Sequence, residues 1–363
     1  RFNSGKPLAL AKSLAIPRAS ANLRFFATGA IHFASEAHFT GSEAVNYTLR
    51  TPVGVAGCIS PWNLPLYLFT WKVAPALAAG CTVVAKPPEL TPMTAFMFSQ
   101  LCIEAGLPPG VLNIVHGFGN KAGHAIVEHP GIPAISFTGG TATGKKIASI
   151  AAPMFKKLSL ELGGKNPNII FADCDFDRAL ETTIQSSFSN QGEICLCGSR
   201  VFVERSLYHQ FVDQLVQRTR MLKIGDPLDV QTNIGSLISE TQMKKVLGYI
   251  TLAKEENGNI LTGGRQSRLN GRCERGFFVQ PTIITGLDCK CRTNQEEIFG
   301  PVITVAPFDS EEQVITDANS TAYGLSATLW TENLSRAHRV AAALKSGIIW
   351  VNCWLFRDLR TPF

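Results

Sequence analysis

Residues 53–86, VGVAGCISPWNLPLYLFTWKVAPALAAGCTVVAK, decide the fold class, because an apolar strand pattern, a helix pattern and a second strand pattern follow one another. Val53–Ile59 predicts a strand, Leu66–Ala79 predicts a helix that ends at Gly80, and Thr82–Ala85 predicts a second strand. Outward from this unit, further strands alternate with helices and are predicted at Val111–Val115, Ala134–Phe137 and Leu158–Leu160. This alternation predicts an α/β protein whose parallel sheet is covered on both faces.

A second series of strands and helices begins after Gly163-Gly164. Strands are predicted at Asn168–Phe171 and Val201–Val203, and a helix is predicted after each of them. The glycine pair is therefore the expected boundary between two α/β domains, residues 1–163 and 164–363.

Composition excludes several classes of function. Of 363 residues, 45% are hydrophobic and 17% are charged, which predicts a folded globular protein. The net charge of +6 is spread along the chain without a Lys/Arg block, so no nucleic-acid partner is expected. No uninterrupted apolar run reaches the ~20 residues of a membrane span. The 10 cysteines lack the framework of a small secreted domain, and their C-x-C spacings are not those of zinc sites. We expect no metal and a cytoplasmic location.

Two segments carry the candidate catalytic groups. Cys195 lies in FSNQGEICLCGSR (residues 188–200), just after a predicted helix end, where backbone N–H groups can favour a thiolate and stabilise an oxyanion. Glu161 lies in LELGGK (residues 160–165) and could activate a water molecule. The alternatives are that Cys195 is a structural thiol, that Cys197 is the nucleophile, and that Glu161 forms a buried ion pair with Lys165.

Three further segments are compatible with ligand binding. Asn63, in SPWNLP (residues 60–65), offers a side-chain amide to an oxyanion or is simply a turn residue. Lys86 and Glu89 follow a strand, where they either contact a ribose or form a surface ion pair. The segment FTGGTATG (residues 137–144) joins a strand to a helix, and its N–H groups suit a pyrophosphate. It matches neither G-x-G-x-x-G nor the P-loop pattern.

Taken in order, and together with EIFGP (residues 297–301), these segments resemble the aldehyde dehydrogenase superfamily from about Lys6 to Phe363. The resemblance implies a Rossmann-type NAD-binding domain followed by an α/β catalytic domain. It implies that Cys195 is the nucleophile, that Glu161 is the general base, and that the Asn63 amide and the Cys195 N–H form the oxyanion hole. The implied NAD contacts are Ile59, Trp62, Lys86, Glu89, Gly139, Gly140, Gly144, Leu162, Glu297 and Phe299. An acidic residue at Glu89 disfavours a 2′-phosphate, so NAD is expected rather than NADP.

A closer resemblance is to the muconic semialdehyde dehydrogenases within that superfamily. It rests on IPR (residues 16–18), LRFF (23–26), NQGEICLC (190–197) and NCWLFRDL (352–359). It implies oxidation of 2-aminomuconate 6-semialdehyde, in the kynurenine pathway, with Arg18 and Arg357 holding the substrate carboxylate. The alternative is that both arginines are ordinary surface residues.

The sequence also departs from the family pattern. It begins at Arg1 rather than Met and ends at Phe363, before the glycine-rich segment and last strand of relatives, so we expect a fragment. Position 140 is Gly where many relatives carry Ser. The intact family member is expected to be a dimer or tetramer of identical chains. Two alternative functions are a broader aldehyde or retinal dehydrogenase, and a catalytically impaired, truncated NAD-binding product.

Overall fold

The computed structural model describes residues 4–362, and these residues divide into two units. The first unit comprises residues 12–162. The second comprises residues 163–362 together with residues 4–11, which contain the one-turn helix α1 (Leu8–Leu10). The division falls at Leu162/Gly163, one residue from the boundary expected at the glycine pair. Residues 4–11, however, join the second unit, whereas the sequence placed them with the first.

The first unit is built on a five-stranded parallel sheet. Its helices are α2 (Ile16–Gly29), α3 (Pro65–Ala78), α4 (Met93–Glu104), α5 (His124–Glu128) and α6 (Thr141–Ala151). Its strands are β1 (Ala37–Thr40), β2 (Ala44–Tyr47), β3 (Val55–Ile59), β4 (Thr82–Lys86), β5 (Leu112–Ile114), β6 (Ala134–Thr138) and β7 (Lys157–Glu161). The sheet order is β5-β4-β3-β6-β7, while β1 and β2 form a separate antiparallel hairpin.

Both faces of this parallel sheet are covered, as the sequence predicts. On one face Ile135 shares a buried cluster with Ile147 of α6. On the other face Val83 shares a buried cluster with Phe69 of α3. The chain proceeds from β3 to β4 on one side and returns to β6 on the other. The carboxyl ends of β3 and β6 therefore form the topological switch point, where sheets of this kind bind ligands.

The second unit contains a seven-stranded sheet. Its helices are α7 (Phe176–Phe188), α8 (Arg205–Arg220), α9 (Glu240–Glu255), α10 (Arg292–Gln295), α11 (Glu311–Ala318) and α12 (Leu334–Ala343). Its strands are β8 (Pro167–Ile170), β9 (Arg200–Glu204), β10 (Asn259–Thr262), β11 (Gln266–Ser267), β12 (Phe278–Val279), β13 (Thr282–Thr285), β14 (Val302–Phe308), β15 (Ser326–Trp330) and β16 (Ile348–Val351). The sheet order is β10-β13-β14-β9-β8-β15-β16, with only β10 antiparallel to its neighbour.

Helices again cover both faces of this sheet. Val203 packs with Leu180 of α7 on one face, and Leu329 packs with Val340 of α12 on the other. Helix α7 begins at Phe176 because the Asp175 carboxylate caps it, accepting a hydrogen bond of 3.2 Å from the Arg178 N–H. Within residues 4–362, no helix combines the length and the apolar character that crossing a membrane requires.

Candidate active site

A cleft of about 400 Å³ opens in the first unit at the switch point of the parallel sheet. Its walls come from the carboxyl ends of β3, β4 and β6, from the loops that follow these strands, and from α5 and α6. The expected cofactor residues that line it are Ile59, Trp62, Lys86, Glu89, Gly139 and Gly140. Gly144 and Leu162 do not line it, because they pack against one another where α6 lies over β7.

One end of the cleft suits an anionic group. Helix α6 begins at Thr141 without a side-chain cap, so its first backbone N–H groups are available to a ligand. Thr143 and Lys146 line the cleft near this helix start and add a hydroxyl and an ammonium group. Gly139 is required here, because a Cβ at this position would lie 2.5 Å from the Phe137 ring.

The other end of the cleft carries an ion pair. The buried Lys86 ammonium donates hydrogen bonds to the Glu89 carboxylate at 3.1 Å and to the Pro87 carbonyl at 2.9 Å. Burial alone would raise the pKa of Glu89, but hydrogen bonds from backbone N–H groups and from Lys86 outweigh it and lower that pKa. Glu89 is thus an ionised acceptor suited to ribose hydroxyls and unsuited to a phosphate.

Ser60 was not identified from the sequence, although it lines the same cleft. Its hydroxyl is buried and has no hydrogen-bond partner among the described residues. Buried polar atoms are nearly always paired, so a polar group of a bound molecule would satisfy this one. The Ser60 hydroxyl, the α6 start and the Lys86–Glu89 pair together fit a dinucleotide.

Glu161 and Asn63 also belong to the first unit. Glu161 is the last residue of β7 and is partly exposed, while Asn63 is 4% exposed in the loop between β3 and α3. Burial lowers the pKa of Lys72, on α3, to about 8, and the charges of Cys58 and Glu161 oppose that shift. The Lys72 ammonium also donates a 3.3 Å hydrogen bond to the Ser136 hydroxyl. Lys72 is a charged neighbour of Glu161 that sequence reasoning missed.

In the second unit, a sharply bent segment leads from α7 to Cys195. Asn190, Gln191 and Gly192 adopt φ values of 53°, 56° and 71°, a left-handed conformation that is costly for the first two. Hydrogen bonds of the Gln191 amide with Ser236 and Gly235, both 3.3 Å long, help to hold this bend. Strained backbone of this kind is typical of functional loops.

Cys195 and Cys197 differ in their surroundings. Both lie in a turn that the Cys197 N–H closes on the Ile194 carbonyl at 3.0 Å. The Cys195 side chain is partly exposed, whereas Cys197 is 7% exposed. Burial strongly raises the pKa of the Cys197 thiol, and nearby carboxylates raise it further. Because a thiolate is the reactive form, the geometry favours Cys195 as the nucleophile.

The Glu297 carboxylate contacts Gly163 and Gly164, the glycine pair that begins the second unit. Its carboxylate accepts a 3.0 Å hydrogen bond from the Gly164 N–H. A Cβ at Gly163 would collide with the same carboxylate, so the close approach requires glycine. Burial raises the pKa of Glu297, against the opposing effects of the Gly164 N–H and of two lysines. Phe299, two residues on, is left-handed with φ of 60°.

Three buried ionisable residues lie near these segments. Sequence reasoning named only Lys165, as a possible ion-pair partner of Glu161. Glu193, two residues before Cys195, is 1% exposed, and burial raises its pKa well above the usual value. Burial lowers the pKa of Lys6 to about 8, and the charge of Glu193 opposes that shift. Burial and then the Arg200 charge lower the pKa of Lys165 to about 7, and its amine lacks a hydrogen-bond partner in the described part of the chain. The only signal in the sequence is a charge within an apolar segment.

The two candidate substrate arginines lie in different units. Arg18 is half-buried on α2, and Arg357 is half-buried in the loop after β16. As for metals, residues 4–362 hold no group of three or more His, Cys, Asp or Glu side chains arranged to bind one.

The curated relatives of this chain include semialdehyde dehydrogenases. The 2-aminomuconic semialdehyde dehydrogenases of Mus musculus and Homo sapiens are each 52% identical to it over 364 residues, or 99% of this chain and 75% of each relative. The 2-hydroxymuconic semialdehyde dehydrogenase of Pseudomonas sp. (strain CF600) is 49% identical, covering 100% of this chain and 76% of that protein.

Solved structures give the same family. A putative aldehyde dehydrogenase from Burkholderia cenocepacia superposes with a TM-score of 0.97 at 40% identity, covering 99% of this chain and 74% of that one. An NAD⁺ complex of the Bacillus cereus aldehyde dehydrogenase superposes with a TM-score of 0.96 at 42% identity, covering 99% and 72%. The sequence model of the aldehyde dehydrogenase family matches residues 1–363. The chain therefore belongs to the aldehyde dehydrogenase family.

Proposed function

We propose that this member of the family oxidises a semialdehyde that also carries a carboxylate, of the 2-aminomuconic or 2-hydroxymuconic type, to the corresponding acid with NAD. The relatives that are about half identical to it act on such substrates according to their names. The observation that carries the catalytic part of the proposal is the Cys195 turn, where a partly exposed thiol stands beside the buried Cys197.

The proposed chemistry begins at Cys195. Its thiolate forms a bond to the aldehyde carbon, and the negative charge that develops on the carbonyl oxygen is stabilised by the Asn63 amide and the Cys195 N–H. When bound, NAD supplies the acceptor for the hydride that leaves this carbon. The resulting thioester on Cys195 is hydrolysed by water, for which Glu161 is the proposed general base. The acid leaves and the Cys195 thiolate is restored.

The cleft of the first unit is the proposed adenosine and pyrophosphate site. Lys86 and Glu89 would contact ribose hydroxyls, and the backbone at Gly139 and Gly140 would contact the pyrophosphate with the start of α6. The unpartnered Ser60 hydroxyl is a further candidate for the same ligand. By resemblance, Glu297 and Phe299 are assigned to the nicotinamide end. The ionised Glu89 supports NAD over NADP.

Arg18 and Arg357 are the proposed carboxylate ligands. A guanidinium group can bind a carboxylate through two parallel hydrogen bonds, which orients the substrate as well as retaining it. A substrate with a carboxylate remote from its aldehyde is the class that needs such groups.

A location in the cytoplasm and a homo-oligomeric state are part of the same proposal. All ten cysteines are free thiols, which suits a reducing compartment. The oligomeric state is inferred from family resemblance alone.

The test is NADH formation followed at 340 nm with purified protein and three aldehydes: 2-hydroxymuconic semialdehyde, hexanal and retinal. We expect the semialdehyde to give the highest kcat/KM. We also expect Cys195→Ala to abolish turnover while NAD binding, measured by calorimetry, persists. A preference for hexanal or retinal would identify a broader dehydrogenase. NAD binding without turnover, when a full-length relative assayed alongside is active, would identify a non-catalytic product.

A further inference from the structure

Three successive carbonyl groups in the Cys195 turn accept hydrogen bonds from side chains. The Asn166 amide donates to the Cys195 carbonyl at 2.7 Å and to the Cys197 carbonyl at 2.8 Å. Between them, the indole N–H of Trp354 donates to the Leu196 carbonyl at 3.0 Å. The donors come from separate places in the second unit, since Asn166 precedes β8 and Trp354 follows β16.

These bonds fix the orientation of the peptide groups around the nucleophile. A peptide is planar, so holding its carbonyl also holds the N–H on its opposite side. The peptide that contains the Cys195 N–H is held through the Ile194 carbonyl, which accepts from the Cys197 N–H at 3.0 Å. The next three peptides are held by Asn166, Trp354 and Asn166 again. Four consecutive peptide planes therefore have a fixed carbonyl, from Ile194 to Cys197.

The Asn166 amide can point only one way. Its oxygen accepts a 3.2 Å hydrogen bond from the Ser326 N–H at the start of β15, so its NH₂ group must face the two carbonyls. The residue is 3% exposed, and water therefore cannot substitute for a lost donor. Gly164 completes the arrangement, because a Cβ there would lie 2.5 Å from the Cys195 carbonyl.

We propose that Asn166 is a positioning residue for the reaction: by holding the Cys195 and Cys197 carbonyls, it fixes the turn that carries the Cys195 thiol and, through that turn, the Cys195 N–H proposed to stabilise the oxyanion. The inference rests on the proposed role of Cys195 as nucleophile. Trp354 supports the same turn through the intervening carbonyl. Neither side chain is required to touch the substrate for this role, which consists of preorganisation.

The experiment compares two Asn166 variants with a matched control. Asn166→Leu keeps the shape of the side chain and removes both donors, and Asn166→Asp places a carboxylate against two carbonyl oxygens. The control is Asn168→Leu, because Asn168 is also a buried amide on the same segment, but its hydrogen bonds go to Thr183 and Trp330. Thermal unfolding and NAD affinity are measured for every variant, so that activity is compared between folded proteins.

We expect kcat to fall about 100-fold in both Asn166 variants, as displacement of a reacting group by ~1 Å can cause, while NAD affinity stays within about threefold of wild type. The rate of alkylation of Cys195 by iodoacetamide at a fixed pH should change in the Asn166 variants and not in Asn168→Leu, because only the former alter the turn that carries the thiol. Trp354→Phe, which removes one donor and keeps a ring, should lower kcat by about tenfold, the effect of one lost hydrogen bond of ~1.4 kcal/mol.

Two results would overturn the positioning role. One is a kcat within threefold of wild type in folded Asn166→Leu. The other is an equal loss of kcat in Asn168→Leu, which would indicate a purely structural contribution of buried amides. Turnover that persists in Cys195→Ala would instead refute the proposed nucleophile, so the two failures can be distinguished.

Discussion

Cys195 and Cys197 show how burial sets the ionisation of one of two neighbouring thiols apart from that of the other. They are two residues apart, yet only Cys197 lies fully inside the cluster formed with Ile194 and Trp350, and burial raises its pKa. Sequence reasoning reached Cys195 through resemblance, with Cys197 left as an alternative on local evidence. The structure adds a physical argument against Cys197, which is the cost of ionising a buried thiol.

Arg18 and Arg357, the proposed ligands of the substrate carboxylate, can each be tested by replacement. Loss of one charge-assisted hydrogen-bonded pair costs about 1.5–3 kcal/mol, so Arg18→Ala and Arg357→Ala should each lower kcat/KM for a carboxylate-bearing semialdehyde by about 10- to 100-fold. Hexanal carries no carboxylate, so its kcat/KM should change by less than about threefold. Steady-state assays with both aldehydes measure the ratio of kcat/KM for the semialdehyde to kcat/KM for hexanal. An unchanged ratio in both variants would contradict the proposed substrate class.

Sequence could not identify Ser60, Lys72 or Glu193 as buried polar groups near the predicted site residues. Their significance depends on contacts made by distant parts of the chain, such as Lys72 with Ser136, 64 residues away. By contrast, Lys86 and Gly139 could be identified because the carboxyl ends of parallel strands meet at one edge of a sheet. The sequence pattern therefore identified residues whose positions follow from the order of strands and helices. It missed residues whose burial depends on side-chain contacts with distant parts of the chain.

At the scale of elements, the left-handed turn after α7 should tolerate little change in sequence, as Gly192 shows. Gly192 has φ of 71°, and a Cβ there would collide with the Gly300 carbonyl. Gly192→Ala should therefore destabilise the fold by about 2–4 kcal/mol, combining the left-handed penalty with overpacking. Chemical denaturation with the tryptophan signal measures the free energy of unfolding.

Gly248→Ala is the matched control for that prediction. Gly248 lies within α9, and a Cβ there would meet no atom within 4 Å. The substitution should raise stability by up to about 1 kcal/mol, because alanine is the better helix former. Equal effects at the two glycines would show that the turn after α7 is not constrained as described.

The parallel sheet of the first unit followed from the sequence, but much of the second unit did not. The strands β3, β4 and β6 are short apolar runs separated by helices, so their positions could be predicted within a few residues. The hairpin β1–β2 was missed because its two strands are only four residues long and all of their residues are exposed, although Phe39, Val45 and Tyr47 alternate with polar or small residues. Strands β10 and β11 are only four and two residues long and depend on pairing with β13 and β12, which the pattern within such short segments does not encode.

For the whole molecule, buried lysines predict how stability varies with pH. Burial lowers the pKa of Lys165 to about 7 and those of Lys6 and Lys72 to about 8, against 10.5 for an exposed lysine. Between these values each of these lysines binds more protons in the unfolded chain than in the folded one, so their contribution to stability rises with pH from about 7. Above pH 9 the raised pKa of buried thiols such as Cys58, about 12, acts in the opposite direction and reduces the slope.

Replacing Lys165 isolates its share of this pH dependence. Lys165→Met removes a charge that is costly to bury, so stability at pH 7 should increase and the rise between pH 7 and 9 should shrink by on the order of 1–2 kcal/mol. Denaturation curves at pH 7, 8 and 9 provide the measurement. Lys244→Met, at a site 71% exposed, is the control and should leave the slope unchanged. If the free energy of unfolding rises between pH 7 and 9 as steeply in Lys165→Met as in wild type, the buried Lys165 amine is not a source of this pH dependence.

The most direct test of the catalytic account is to locate the acyl group on the chain. The protein is mixed with NAD and 2-hydroxymuconic semialdehyde, quenched in acid within milliseconds, digested and examined by peptide mass spectrometry. Cys195 and Cys197 share a peptide, so fragmentation and the Cys197→Ala variant assign the modified thiol. We predict a mass increase equal to the acyl group on Cys195, in wild type and in Cys197→Ala. An adduct on Cys197, or turnover with neither thiol acylated, would contradict the assignment of Cys195 as the nucleophile.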